Sequence, residues 1–555
     1  WLQPARIVAS AGDDVTGSGP GAHPASIRGW FVCTGSPLTL NHHIQELMSI
    51  RERLESIVPL LEPRLQSSTL HNKAPPVGRP QNCPPLVIKS PHLMQILGLP
   101  KDLASVLYRL EIAAPQIAES PVKGAHAGSP DLYVLQVNNS KTTELTSHSI
   151  LIRFQDQVHR WYPVLHHDFT RHFFESNAAG FPYSTKSCLS LLVASFASLD
   201  DYRPPSSHYK VALSMFPIVI QESSVTSVQC LVLFGIYCAF LLQPRQAYEY
   251  IQAASLKVQP LMKSPYFAEG SPESHLLTRL YWIINLIESE ISMHLNLSSL
   301  GKTLRGQLTK TPLPTSVDTW NYSSDSSPPS ISPLSGVPLS RYSPTESPQM
   351  FSRLSTELNL QLVLNSYASS VTDMRISYND GSPHVEDTAA PSNPLGPLPA
   401  LASTRKGPDS QNNPHPSQQM DDPICRAKSH MYDVFLYWPV IYHVIMDGSV
   451  DPELLPYGPL FFESVISFLC AARIALRICP PKAWFFCASI YVISVATVKA
   501  LEVRSLRLLA PPWTWKYLEG SVDALHSPGE LSPSVQYMRD SLKNRLEMAK
   551  LQKSG

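Results

Sequence analysis

From Val228 to Leu242 the chain reads VQCLVLFGIYCAFLL, and apart from Gln229 it is apolar on every side. A helix with no polar face must be covered all round, so the fold has to be built about a central buried helix. Thr226 with Gln229 three residues on has the form of a capping box and predicts the helix start there. Gln243-Pro244-Arg245 ends the run and turns the chain back. A second helix is expected from Gln246 to Met262, with Ala247, Tyr248, Ile251, Ala254 and Val258 at helical spacing. A third is expected from His275 to Leu297. Leu277, Leu280, Ile284, Ile287, Ile291 and Leu295 fall on one stripe of it, and Arg279, Glu288 and Glu290 are expected on its other faces.

Periodicity divides the rest of the chain. Residues 1–39 have none and read as disordered or non-native sequence. The chain opens on Trp1, which reads as a fragment, a processed product or an incomplete gene model. In residues 40–65, Leu40, Leu47, Leu54 and Leu61 recur every seven positions with Ile50 and Ile57 in the seam. This short coiled-coil-like helix is either a dimerisation element, giving a homodimer, or an amphipathic helix packed on its own domain. Residues 66–143 read as a linker with two short helices in PHLMQILGLPKDLASVLYRL. Residues 144–302 form a first helical block. Residues 303–424 form a mostly disordered insertion, rich in Pro and Ser, with Ser-Pro steps at Ser327, Ser332, Ser343 and Ser347; only Phe351–Val371 is weakly helical. A second helical block spans 425–510, with Pro439 predicting a kink. Residues 511–555 are expected to hold a loop with Trp513 and Trp515 and a last helix, Val535–Gln552. Strand alternation is sustained nowhere. The fold class is all-α: a multi-helical domain interrupted by long disordered Pro/Ser-rich linkers. With 52 Pro against 24 Gly, those linkers are stiff rather than flexible.

Composition narrows the function classes. Lys+Arg number 44 and Asp+Glu 44, so no basic excess draws the chain to a phosphate backbone. None of the nine cysteines forms a C-x-x-C pair. Cys230, Cys238, Cys470, Cys479 and Cys487 lie inside apolar helical runs, where a thiol acts as a small hydrophobe. The odd count points to a reducing, intracellular compartment. The apolar run Ala483–Val498 is closed by Lys482 and Lys499 short of the roughly 20 residues a bilayer needs, so it is read as a core helix and no membrane partner is expected.

The densest set of potential metal ligands is His159, His166, His167, Asp168 and His172. No H-E-x-x-H, facial triad or cysteine partner accompanies them, and adjacent histidines on a helix do not converge on one centre. They are read as structural or surface residues. Asp200-Asp201 lacks a third carboxylate one turn on, where Pro204 stands, and Asp421-Asp422 fails likewise. Leu300-Gly301-Lys302-Thr303 lacks the first glycine and the strand of a phosphate loop. The expectation is therefore no catalytic residue, no metal ligand, no identified cofactor site and no enzyme.

The helical stretch nevertheless resembles a family. VQCLVLFGIYCAFLLQPRQAYEYIQAASLKVQPLM followed by LLTRLYWIINLIESEISMHL is similar to the fungal-specific regulatory domain, or middle homology region, of zinc binuclear cluster (six-cysteine) transcription factors. Val228-Gln229, Pro244, Arg279 and Trp282 carry the likeness. Upstream, HRWYPVLHHDF resembles the entry motif of that domain, and Met431 to Glu502 resembles its C-terminal helices. The resemblance covers roughly 145–300 and 425–505 and implies a regulatory domain controlling RNA polymerase II transcription in the nucleus. It implies contacts with transcriptional co-regulators or a small-molecule effector. In such factors DNA is held by an N-terminal cluster of two zinc ions and six cysteines; that cluster is missing from this chain, so DNA and zinc are expected only through such a module. The alternative from another class is an all-α enzyme or ligand-binding protein that never carried a DNA-binding domain.

Overall fold

Helices are the only regular elements among the residues that the structure, a computed structural model, describes: 91–113, 147–199, 207–264, 267, 270–295, 314, 320, 350–361, 422–447 and 456–554. All of them lie in one compact unit, 47–555. In chain order, α1 (Pro91–Ile96) and α2 (Leu103–Ala113) come first, and α3 (Ser147–Phe154) runs on into a π turn, Gln155–His159. Then follow α4 (Phe169–Ala178), α5 (Thr185–Ala197), α6 (Ser207–Ser214) and α7 (Phe216–Gln221). The central trio is α8 (Val225–Phe240), α9 (Pro244–Met262) and α10 (Pro272–Leu295). Residues 350–361 form α11. The second block holds α12 (Pro423–Asp447), α13 (Tyr457–Ile478), a 3-10 turn (Pro480–Lys482), α14 (Ala483–Glu502) and α15 (Arg504–Leu509). Last come α16 (Thr514–Ala524), α17 (His526–Gly529) and α18 (Pro533–Ser554). The heptad Leu40, Leu47, Leu54 and Leu61 lies outside the described residues, as do Ser327, Ser332, Ser343 and Ser347.

The central helix is where the sequence put it, but its start is set differently. Ser224, with extended backbone, is the N-cap: its side chain accepts from Ser227 N at 3.1 Å. Thr226 is already inside the helix, and a cap needs non-helical backbone. Gln229, expected to close the box, reaches away to donate to Val164 O at 2.8 Å. At the other end Leu242 takes φ +56, with Leu242 N on Ala239 O and Gln243 N on Cys238 O. These are the two bonds of a Schellman cap, with leucine in the place usually left to glycine. Pro244 then opens α9 at its first position, where a missing N–H costs nothing. Gly235 lets the two helices approach: a Cβ there would lie 2.8 Å from Ile251 Cδ1.

The two helical blocks pack into one core. α8 contacts α5, α9 and α10, and also α14 and the 3-10 turn of the second block, while α10 contacts α14. His294 on α10 and Ser489 on α14 are 3.2 Å apart through Nε2 and Oγ. Two helices, Tyr457–Ile478 and Pro480–Glu502, are long and apolar enough to cross a bilayer by length and composition, but the second is buried almost throughout and is a core helix. Cys470 differs from its expectation: it stands on the exposed face of α13, whereas Cys230, Cys238, Cys479 and Cys487 are buried. Pro439 lies inside α12, which runs on through it to Asp447.

Residues 91–113, expected within a connector, are part of this core. Leu93, Met94, Leu97, Leu103 and Leu107 are buried, and α2 packs on α9, α10 and α18. Glu111 accepts from Ser532 Oγ at 2.7 Å and from Ser534 N at 3.2 Å, so α2 caps the start of the last helix. The loop expected after Pro511-Pro512 is short, because Trp513 is already the N-cap residue of α16.

Candidate functional site

The motif HRWYPVLHHDF sits where both blocks and the insertion meet. The end of α3 widens into the π turn, with Arg160 N bonded to Gln155 O, and Pro163 keeps the chain from resuming a helix. The carbonyls of the loop that follows therefore need partners from elsewhere. Arg160 O accepts from Arg353 Nη1 at 2.9 Å, Val164 O from Gln229 Nε2 at 2.8 Å, and Leu165 O from Arg279 Nη2 at 2.8 Å. Three side chains from α11, α8 and α10 thus hold one loop. Arg353 also lies over the Trp161 ring, 4.3 Å from its centroid, and pairs with Asp422. Asp422 in turn caps α12, accepting from Ile424 N at 2.8 Å.

Beside this loop is a buried ionic quartet. Lys428 Nζ lies 2.5 Å from Glu290 Oε1 and 3.5 Å from Glu357 Oε2; Lys482 Nζ lies 2.9 Å from each. All four side chains are at most 4% exposed. They come from α10, α11, α12 and the 3-10 turn, so two positive and two negative charges join four elements. The Lys482 ammonium also stands 5.0 Å from the Tyr162 ring centroid, and that of Lys428 5.5 Å from Phe485. Burial works to lower the Lys482 pKa, but Glu290 and Glu357 outweigh it and push it well above the ordinary lysine range. Burial would likewise raise Glu357; Lys428 and Lys482 outweigh it and hold the carboxyl below its ordinary value. Both directions favour the charged forms of Lys482 and Glu357. Such buried groups contribute little net stability when complete and are strongly destabilising when one member is lost.

Trp320, from the segment expected to be a disordered linker, is 2% exposed and belongs to the same region. Its carbonyl is 2.8 Å from His159 Nε2, its indole lies under the Arg279 guanidinium at 5.2 Å, and Phe351 meets it edge-on at 5.5 Å. Facing a carbonyl, His159 Nε2 must carry the proton and donate. Burial pushes the His159 pKa down to about 3, with the nearby Arg279 charge acting in the same direction, so the ring is neutral. Burial also pulls Arg279 down to about 9, which leaves it charged at neutral pH.

Of the histidine set, the structure separates His159 from the rest. His166, His167 and Asp168 bring one ligand atom each within 4.8 Å of one another at the half-exposed start of α4, and His172 Nε2 is 3.6 Å from Asp168. Burial tends to raise the Asp168 pKa, but its bond with His166 outweighs this and lowers it. Asp168 also pairs with Arg171 at 3.3 Å. The two adjacent histidines, expected not to converge, do so because they precede α4 rather than lie on a helix. Sequence reasoning missed the quartet. Arg279, Glu288 and Glu290, expected on outer faces, are all buried. The signal was present: Lys428 lies on the stripe Ile424, Lys428, Met431 and Phe435, the buried face of α12. A charged residue on an apolar stripe needs a buried partner of opposite sign.

Comparison with known proteins adds to this geometry. Residues 151–388 match the model of the fungal specific transcription factor domain. A curated protein of Aspergillus rugulosus, described as "Putative transcription factor ecdB", is 25% identical over 535 residues, covering 91% of this chain and 90% of the relative. No solved structure matches the chain.

Proposed function

We propose, from the premise that residues 151–388 form a fungal specific transcription factor domain, that this chain is the regulatory part of a zinc-cluster-type regulator of RNA polymerase II transcription in the nucleus. The observation that carries the reading is where the match falls. It begins in α3 and takes in the loop at Pro163, Arg279, Glu290, Trp320 and Glu357. Lys428 and Lys482, the cations that complete the quartet, come from the block beyond it. The matched domain and the second helical block are therefore joined by charges that tolerate little displacement.

In this reading DNA is held by a zinc-cluster module rather than by the residues described here. The 44 basic and 44 acidic residues supply no excess of cations for phosphate, and the long helices are committed to the core. The leucines 40, 47, 54 and 61 would pair two copies. Tagging the protein in its native cell and crosslinking it to chromatin tests the proposal. The expected result is nuclear signal and enrichment at a defined set of promoters. Exclusion from the nucleus, or promoter occupancy no higher than background, would overturn it.

A further inference from the structure

We infer that the Trp320 indole occupies a preorganised binding site, and that the site accepts a neutral, electron-rich planar aromatic molecule carrying a hydrogen-bond acceptor, with Trp320 as its built-in competitor. The contacts define the ligand chemistry. Arg279 presents a guanidinium to the ring face, which favours electron-rich aromatics. Phe351 packs edge-on, which favours a flat ring system. His159 Nε2–H donates to the Trp320 carbonyl, so an occupant also needs an acceptor at that place.

The lining does not depend on Trp320. Arg279 is fixed by Leu165 O. Phe351 is carried on α11, which Glu357 ties to Lys482 and Arg353 ties to Asp422 and Arg160 O. His159 closes the π turn and is buried among core residues. A cavity whose walls are held by other contacts keeps its shape when its occupant leaves, and binds small molecules of matching shape. The ionic quartet is linked to the same stretch of chain: Tyr162, whose ring meets Lys482, stands three residues after His159.

This inference rests on the reading of the chain as an effector-responsive regulator, but its test uses no DNA and no transcription, so the two can fail separately. The full chain carrying Trp320→Ala is titrated calorimetrically with N-acetyl-L-tryptophanamide, which supplies both the indole and the carbonyl. Saturable binding is expected, at least tenfold weaker in the natural chain, where Trp320 is in place. N-acetyl-L-leucinamide, with the carbonyl but no ring, should bind at least tenfold more weakly than the tryptophan amide. Should Trp320→Ala fail to fold alone, refolding in the presence of the amide is measured, with Trp320→Phe as the milder variant; restored yield, or binding to the Phe variant, supports the site. Equal binding to natural and variant chains, equal binding of the leucine amide, or neither binding nor rescue in both variants would overturn it.

Discussion

Replacing Lys482 with Met removes one of two cations that face two buried carboxylates. The stem of the new side chain still fills the space beside Tyr162, so the change is mainly electrostatic. Glu290 keeps Lys428 at 2.5 Å, but Glu357 is left with that same ammonium at 3.5 Å, and the interior carries one uncompensated negative charge. Breaking a buried pair in this way costs about 3–5 kcal/mol. That is a large part of the 5–15 kcal/mol by which native domains are stable. Removing a charge of each sign should behave differently. Lys482→Met with Glu357→Met leaves Glu290 and Lys428 as a neutral pair, and such replacement is expected to fall within about 1 kcal/mol of the natural chain or to stabilise it. A double-mutant cycle measured by urea unfolding, followed by helical circular dichroism, gives the coupling directly. A rescue of at least about 2 kcal/mol by the second substitution is expected. If the double variant is as unstable as the sum of the two single ones, the four groups do not act as one ionised unit and the reasoning fails.

Gly235→Ala gains helix propensity but drives a Cβ to 2.8 Å from Ile251 and 3.2 Å from Ala247 O; a net loss on the order of 1 kcal/mol is expected in thermal or urea unfolding, and stabilisation would contradict the close packing of α8 on α9. His159, held at about 3 in the fold, refuses a proton that the unfolded chain takes up below about pH 6.5. Its contribution is therefore complete above that pH and is lost as the pH falls toward 3, by up to about 1.4 kcal/mol per unit. His159→Asn should flatten the slope of urea stability between pH 7 and 5, and an unchanged slope would place the acid response elsewhere. Lys in place of Leu47 and Leu54 should yield monomers by light scattering if the heptad pairs two chains, because a charge in the seam is costly; an unchanged mass would mean that the heptad does not pair the chains.

The helices were legible because their signals are local. An all-apolar run announces a central helix, and α9 and α10 were placed to within three residues at their ends. The cap was not, since Thr226 and Ser224 differ only in which residue leaves the helix first. The polar interior was illegible for a different reason. Glu290, Glu357, Lys428 and Lys482 lie far apart in the chain; Lys428, on the apolar stripe of α12, calls for a buried partner without saying which, and the other three each have the look of a solvated charge. Only the three-dimensional fold brings them together. Trp320 was hidden by its surroundings: a Pro/Ser-rich segment gives no periodicity from which one anchored residue could be picked out. The two short helices of residues 91–113 are legible in the sequence, but their place in the core is not, because their partners, α9, α10 and α18, lie far along the chain.

Regulation of transcription is tested most directly by carrying the chain to a promoter on a foreign DNA-binding domain in a fungal cell and measuring transcript from a reporter. The chain is expected to change transcript level severalfold over the foreign domain alone. Lys482→Met should abolish the change, and Lys482→Met with Glu357→Met should restore it at equal protein abundance. A reporter indifferent to the tethered natural chain, with the fusion present in the nucleus, would contradict the account.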